Sequence, residues 1–412
     1  MPKYDLAVAG AGLGGLAVAA LMSSNGKKVI VSESGASLDA ALGVREFNGF
    51  RFFRGASLSY GFEEGGILRS LFTKLGLMHD GLVHPCSYQV ALPDRRITVS
   101  ANQEETYEEL KREFPSESET ISQFFRDLKK ESVHISKNRL AAYFAHRKSA
   151  LRFIRKYHFS TEFMIFLDIR SRFFYQRPID QLPVAKLITL CETLPTKFPG
   201  GIQKLAEQLL ALLRKNGAEV RFGEAPSEIA FKYDHAIAIR TGQNVVEAST
   251  VLLDTPHPQV SMLYLGIPDD VVPVSMAQDV LYLPDYARPE QFLGISLSAE
   301  DDVALAPMRA RALTISLRSK SPSNFRSDQS ALIEPLADII PFLNENLFFI
   351  EPSQPTAPSF NLPDDIIFKP VRPSEPSLLS KASRRNLYML QDDQCQPMEL
   401  MTVVQKFVAD ML

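Results

Sequence analysis

Near the start of the chain, glycines are spaced so that a phosphate group could approach their backbone. They lie in the run Gly10-Ala11-Gly12-Leu13-Gly14-Gly15, which fits the pattern GxGxxG. Gly10 permits a tight turn, Gly12 leaves room for a pyrophosphate, and Gly15 allows a helix to pack closely on a sheet. Glu33 follows 23 residues after Gly10, and its carboxylate can accept hydrogen bonds from two ribose hydroxyl groups. These residues predict a site for the ADP half of a cofactor.

A βαβ unit would have to position these residues. Residues 4–9 have the pattern of a buried parallel strand, residues 13–24 that of a helix rich in Ala and Leu, and residues 29–31 that of the next strand. Strand, glycine loop, helix, strand and acid therefore follow one another in the order that a dinucleotide site requires. The pattern does not distinguish FAD from NAD, because both cofactors carry an ADP half.

The composition of the chain argues against several classes of function. The 412 residues suggest two or three domains, and a net charge of −3 gives no case for a nucleic-acid partner. Three cysteines without a CxxC motif and seven histidines without zinc-ligand spacing predict no metal site. Sparse cysteine suits a reducing, cytoplasmic compartment. No signal peptide is expected before the strand-like sequence at Tyr4, and no run of about 18 apolar residues predicts a spanning helix.

Further stretches of the chain have patterns that recur together in one protein family. They are NGFRFFRGA at 48–56, LFTKLGL at 71–77, FPSE at 114–117, FFRDL at 124–128, FPGGI at 198–202, NGAEV at 216–220 and NLYMLQD at 386–392. With the N-terminal unit they resemble phytoene desaturases and carotenoid isomerases of the flavin amine oxidase superfamily, over nearly the whole chain. The resemblance implies an FAD-dependent oxidoreductase that acts by hydride transfer on a hydrophobic, isoprenoid- or amine-like substrate. It identifies no catalytic residue.

The chain departs from the family where glycines normally approach the flavin. Asp-Ala-Ala-Leu at residues 39–42 stands where the family has Gly-Gly-Arg, and the usual acid of GFxFD falls on Phe53. The family's C-terminal Gly-Asp is Gln391-Asp392, and the glycines that normally follow are absent. A Cβ then occupies space that glycine leaves open. Asp392 remains a candidate for contacting the ribityl or phosphate region of the cofactor.

The predicted fold class is α/β, with a Rossmann-type doubly wound FAD-binding domain and a discontinuous α+β substrate domain. The first domain is predicted to comprise residues 1–95, 191–258 and 381–412, and the second residues 96–190 and 259–380. Two alternative functions stay open. One is a non-catalytic binding or partner subunit with a degenerate flavin site, and the other is an NAD-linked dehydrogenase.

Residues 132–161 form a basic segment that contains no acid. Its cations are Lys137, Arg139, Arg147, Lys148, Arg152, Arg155 and Lys156, and its interleaved aromatic residues are Tyr143, Phe144, Phe153, Tyr157 and Phe159. A basic aromatic helix can lie on an anionic membrane surface. The same pattern also fits a helical cap with a solvated basic face. The sequence therefore predicts a cytoplasmic protein and leaves open whether this segment contacts a membrane.

Overall fold

The structure is a computed structural model of the 412-residue chain. It describes residues 3–78, 83–100, 102–198, 201–242, 244–256, 260–318, 333–353, 362–363, 365–371, 378–392 and 397–412. Contacts divide the chain into two compact units. Unit 1 comprises Met1–Val83, Phe198–Val260 and Gln354–Leu412, and unit 2 comprises His84–Lys197 and Ser261–Ser353. The domain bounds proposed from the sequence stay a prediction.

The strands and helices of the described residues are numbered in chain order. The strands are β1 Tyr4–Ala9, β2 Val29–Glu33, β3 Arg45–Phe47, β4 Phe50–Phe52, β5 Leu58–Ser59, β6 His84–Pro85, β7 Tyr88–Leu92, β8 Arg95–Val99, β9 Thr196–Lys197, β10 Glu219–Phe222, β11 Pro226–Lys232, β12 His235–Thr241, β13 Asn244–Pro256, β14 Val260–Pro268, β15 Asp279–Tyr282, β16 Leu293–Leu297, β17 Ala310–Arg318, β18 Phe349–Ser353, β19 Phe368–Pro370, β20 Leu379–Ala382 and β21 Leu387–Asp392. The α-helices are α1 Leu13–Ser24, α2 Leu38–Ala41, α3 Ile67–Leu75, α4 Gln103–Glu113, α5 Ser118–Lys137, α6 Arg139–Ala145, α7 Ala150–Ile154, α8 Thr161–Tyr175, α9 Val184–Glu192, α10 Gln203–Lys215 and α11 Pro397–Met411.

The main sheet of unit 1 brings the candidate residues to one edge. Its strand order is β10-β2-β1-β13-β21-β20-β19, and the pairs from β10 through β21 are parallel. Strands β1 and β2 are almost entirely buried and mostly apolar, as expected of parallel strands covered on both faces, and their polar residues are Asp5, Ser32 and Glu33. Because carboxyl ends of parallel strands meet at one edge, the ends of β1, β2, β13 and β21 lie together. The Rossmann-type fold class is confirmed.

Helix α1 connects β1 to β2 and is buried along its length. Its residues from Leu13 to Ser23 are all buried, so the helix is apolar all round rather than amphipathic. It packs against the sheet and against α10 and α11 within one hydrophobic core. The helix ends before Gly26, whose φ of +76° suits glycine. Burial on every side holds the first turn of α1 in a defined place.

Unit 2 combines a second sheet with helices. The sheet has the order β18-β14-β17-β16-β15-β7-β8, and helices α4 to α9 lie between β8 and β9 along the chain. Helix α5, which follows Pro115, is amphipathic and buries Ile121, Phe124, Phe125 and Leu128. None of the helices in the described residues has the length and apolar character needed to cross a bilayer.

Candidate cofactor site

The phosphate loop joins β1 to α1 at the carboxyl edge of the main sheet. Gly10 has a φ of +117°, a conformation that disfavours any side chain, and its N–H donates to the Ser32 carbonyl oxygen at 2.8 Å. Gly12 precedes the helix with φ −67° and ψ 173°. Among the described residues, no hydrogen-bond acceptor is found for the backbone N–H groups of Gly12, Leu13 and Gly14. These groups, at the positive end of the helix dipole, are donors available to an anion.

Glu33 closes one side of this loop from the end of β2. Its side chain is 8% exposed and accepts from the Ala11 N–H at 2.7 Å, the Gly35 N–H at 2.6 Å and the Ser34 hydroxyl at 3.0 Å. A carboxylate has about four lone-pair positions, so three protein donors leave one position for a ligand hydroxyl. Glu33 therefore holds the loop in shape and keeps capacity for one of the two ribose hydrogen bonds predicted from the sequence.

Asp254, which sequence reasoning missed, closes the other side. It lies near the carboxyl end of β13, is 4% exposed, and accepts the Gly15 N–H through Oδ2 at 3.2 Å. A Cβ on Gly15 would overlap Asp254 Oδ2 and would lie 2.8 Å from its Cγ, while a Cβ on Gly10 would overlap its carbonyl oxygen. The signal that could have found Asp254 is an acid directly after the buried run Val251-Leu252-Leu253, at the edge where ligands of such sheets bind.

Gly14 faces Leu390 and Leu400 rather than Asp254. A Cβ there would come within 2.7 Å of Leu390 Cδ2 and 3.0 Å of Leu400 Cδ1. Leu390 belongs to β21 and Leu400 to α11, so the C-terminal strand and helix both rest on the first turn of α1. Gly10 and Gly15 are thus required by packing against Asp254, Gly14 faces the ends of two leucine side chains, and Gly12 is the glycine of the motif that is left for a ligand.

The position that departs from the family pattern forms a short helix of its own. Ser37 caps α2 by accepting the Ala40 N–H, and Arg51 binds the Asp39 carboxylate at 2.7 Å. Gln203, at the start of α10, donates to the same carboxylate. Asp39 is therefore tied to two elements of unit 1, which gives it a structural role where glycine backbone was expected to wrap a cofactor.

Most of the predicted site residues lie together around the phosphate loop. Gly10, Ala11, Gly12, Gly14, Gly15 and Glu33 lie in one loop region. Asp392 ends β21, with its Cα paired to Pro256, so its backbone lies at the same sheet edge. Residues 393–396, which follow Asp392 along the chain, lie outside the described residues.

The Asp254 carboxylate should weaken anion binding at this loop. Asp254→Asn keeps the side-chain shape and removes the negative charge from the N-terminus of α1. We expect the affinity for ADP to rise about five- to tenfold, because a charge at a partly buried helix terminus is worth up to about 2 kcal/mol. Calorimetric titration with ADP at low and high salt would measure the gain. Unchanged or weaker ADP binding in the variant would contradict the inferred repulsion.

Known proteins with similar sequences cover part of the chain. Residues 8–75 match a family model for an NAD(P)-binding Rossmann-like domain. The chloroplastic prolycopene isomerase of Daucus carota is 30% identical over 127 residues, which are 30% of this chain and 21% of that protein. Prolycopene isomerase 2 of an Oncidium hybrid cultivar is 30% identical over 129 residues, 30% of this chain and 22% of that protein. The match thus spans about a fifth of the length of these relatives.

Solved structures resemble the chain over nearly its full length. An oxidoreductase from Methanosarcina mazei has a TM-score of 0.63 and 17% identity, covering 97% of this chain and 100% of that one. A Rab GDI from Plasmodium falciparum has a TM-score of 0.65 and 11% identity, covering 99% and 97%. A putrescine oxidase has a TM-score of 0.56 and 14% identity, covering 99% and 98%. At this identity the structures show the fold alone. With the sequence matches, they confirm the predicted resemblance to carotenoid isomerases and to the amine oxidase fold.

Proposed function

We propose that the chain is an FAD-dependent oxidoreductase that acts by hydride transfer on a hydrophobic, isoprenoid- or amine-like substrate. The observation that carries the proposal is the phosphate loop. Three consecutive N–H groups at the start of a buried helix, those of Gly12, Leu13 and Gly14, have no acceptor among the described residues. Glu33 stands beside them with one lone-pair position to spare. This arrangement fits the pyrophosphate and ribose of an ADP-bearing cofactor.

The residues present fit the ADP half of FAD. The N–H groups of Gly12, Leu13 and Gly14 would hold the pyrophosphate, and Glu33 would accept from the adenosine ribose. FAD, when bound, supplies the hydride acceptor, so the protein's task is to bind and orient it. The similarity to prolycopene isomerases supports an isoprenoid substrate class, and the fold shared with a putrescine oxidase supports an amine. Neither assigns a catalytic residue.

A non-catalytic binding protein is the second candidate, and two observations favour it. Asp254 brings a carboxylate to the N-terminus of α1, and Asp39 is engaged by Arg51 and Gln203 where the family has a glycine pair. The same fold also occurs in a protein named as a Rab GDI rather than as an oxidoreductase. Because a fold hosts several functions, its likeness does not decide between enzyme and binding protein.

An NAD-linked dehydrogenase is the third candidate. Its support is the family model for NAD(P)-binding domains, which covers the same glycine loop. An ADP half is common to NAD and FAD, so the loop geometry fits both. The resemblance of the later stretches, from residue 48 onward, to flavoproteins favours FAD.

Flavin titration tests the proposal. We expect the purified protein to be partly or wholly free of flavin and to bind added FAD saturably in the micromolar range. The family's glycines let the backbone approach the flavin, and a chain without them would make two or three fewer hydrogen bonds to it. At about 1 kcal/mol for each hydrogen bond, this difference would weaken binding roughly 30- to 150-fold. Titration with FAD, followed by flavin fluorescence, measures this, with parallel titrations of ADP and NAD.

The outcomes separate the three candidates. Tighter binding of FAD than of ADP shows that the flavin half contributes, whereas equal binding shows an ADP site alone. Tighter binding of NAD than of FAD favours the dehydrogenase. Absence of binding at millimolar FAD would exclude the flavoenzyme, and absence of NAD binding as well would leave the non-catalytic protein. If FAD binds, anaerobic bleaching of the bound flavin by an isoprenoid polyene or by an amine would identify the substrate class.

A further inference from the structure

Helix α6 in unit 2 points its large apolar side chains outward. Leu140 is 69% exposed, Tyr143 51% and Phe144 60%, while Ala145 is buried. The three exposed residues are spaced i, i+3 and i+4, so they share one side of the helix. We name them the α6 face. The hydrophobic effect disfavours leaving such side chains in water, so three of them grouped on one side of a helix form a candidate docking surface.

The α6 face is carried by a capped helix. Asn138 accepts the N–H of Leu140 at 2.9 Å and that of Ala141 at 3.2 Å through its side-chain oxygen. Its carbonyl oxygen also accepts the Ala142 N–H at 2.9 Å. These bonds satisfy donors of the first turn and hold the helix in one orientation. The exposure of the face therefore follows from a defined local structure.

The basic segment that contains the face also carries exposed cations. Lys137, Arg147, Arg152 and Arg155 are exposed and make no ion pair within the described part of the chain, whereas Lys148 and Lys156 pair with Glu131 and Asp127. These four cations belong to the same basic segment of the sequence as the α6 face, and we name them the basic rim. The Arg147 guanidinium lies 4.4 Å from the centre of the Tyr143 ring, which places a positive charge directly beside the α6 face.

The other aromatic residues of the basic segment pack against α5. Phe153 and Tyr157 are buried and contact Phe124 of α5 edge to face, and Phe159 contacts the same ring. They anchor the backbone that presents Arg152 and Arg155 to solvent. The sequence left two interpretations of the basic segment open, and each fits a different part of it. Residues 153–159 belong to a structural cap, and residues 139–147 carry the exposed apolar face.

We propose that the α6 face and the basic rim dock on an anionic phospholipid surface. Apolar side chains of this size would enter the boundary between headgroups and acyl chains, while the rim would face the phosphates. The positive charge of the rim complements the negative charge of such a leaflet. An acidic protein partner would satisfy the cations but would leave three large apolar side chains to be matched separately. The inference does not depend on the proposed function.

Vesicle flotation tests the docking. The full-length protein is mixed with phosphatidylcholine vesicles with or without phosphatidylserine. We expect binding only to vesicles with phosphatidylserine, and weaker binding as salt is raised. Changing Lys137, Arg147, Arg152 and Arg155 together to Gln should weaken binding more than about 100-fold, at roughly fivefold per cation. Changing Leu140, Tyr143 and Phe144 together to Ser should weaken it about 100-fold.

Matched controls come from elsewhere in the chain. Exposed Arg69, Lys74, Arg214 and Lys215 changed to Gln remove the same charge. Exposed Val274, Val303 and Met308 changed to Ser remove apolar surface of the same kind. Both controls should bind as the unmodified chain does. The proposal is overturned by no binding of the unmodified chain, by equal binding to neutral vesicles, or by variants of the α6 face that bind as tightly as the controls while melting at the same temperature.

Discussion

The Gly12→Val variant is expected to fold and to lose ADP and FAD binding roughly 100-fold or more. Gly12 has φ −67° and ψ 173°, a conformation open to any L-residue, so valine brings no backbone strain. Its isopropyl group would instead occupy the space through which a pyrophosphate reaches the N–H groups of Gly12, Leu13 and Gly14. Calorimetric titration with ADP and FAD would give the loss of affinity, and thermal unfolding would report the fold.

A graded series sharpens this test. Gly12→Ala adds one methyl group and should give an intermediate loss, with an unfolding temperature close to that of Gly12→Val. Normal ADP affinity in the valine variant would refute the assignment of the phosphate loop. A large fall in unfolding temperature would show instead that Gly12 serves packing, as its neighbours do.

Gly15→Ala is expected to destabilise unit 1 by about 2–3 kcal/mol, the range of an overpacked core site. The new Cβ would overlap Asp254 Oδ2 and would lie 2.8 Å from Cγ and 3.0 Å from Cβ of the same residue. Asp254 is buried between β13 and α1, so its side chain has little room to move. Urea unfolding followed by circular dichroism would measure the change in the free energy of unfolding.

Combination with Asp254→Ala identifies the cause. That substitution removes Oδ2 and Cγ, so the double variant should recover about 1–2 kcal/mol relative to the sum of the two single changes. Gly14→Ala is the matched control, because its Cβ would meet only the flexible ends of Leu390 and Leu400. It should cost less than Gly15→Ala. Additive effects of the Gly15 and Asp254 substitutions would show that the two residues are not in conflict.

The N-terminal unit was predictable because its signals are local. A tight turn, the start of a helix and a buried parallel strand each leave a mark within a few residues, so β1, α1 and the glycine loop appear at the predicted positions. The apolar spacing of α5, from Ile121 to Leu128, is likewise a local signal.

The residues that pack against the phosphate loop from distant parts of the chain were not predictable from local signals. Asp254 is 239 residues from Gly15 along the chain, and only the pairing of β13 with β1 brings its carboxylate to the Gly15 N–H. A sequence shows that Val251-Leu252-Leu253 is a buried strand, but not which strand it joins. Leu390 reaches Gly14 through the pairing of β21 with β13, and Leu400 reaches it from helix α11.

The basic segment shows the same division. The sequence by itself determined that residues 132–161 are basic, aromatic and free of acids, because composition is a property of the chain alone. Only the tertiary structure decided that Phe153 and Tyr157 pack on Phe124 while Tyr143 and Phe144 face outward. Burial depends on which surfaces the rest of the fold supplies, and the partner ring on α5 lies about 30 residues away in sequence. Local spacing therefore established the cofactor loop, and long-range packing established what surrounds it.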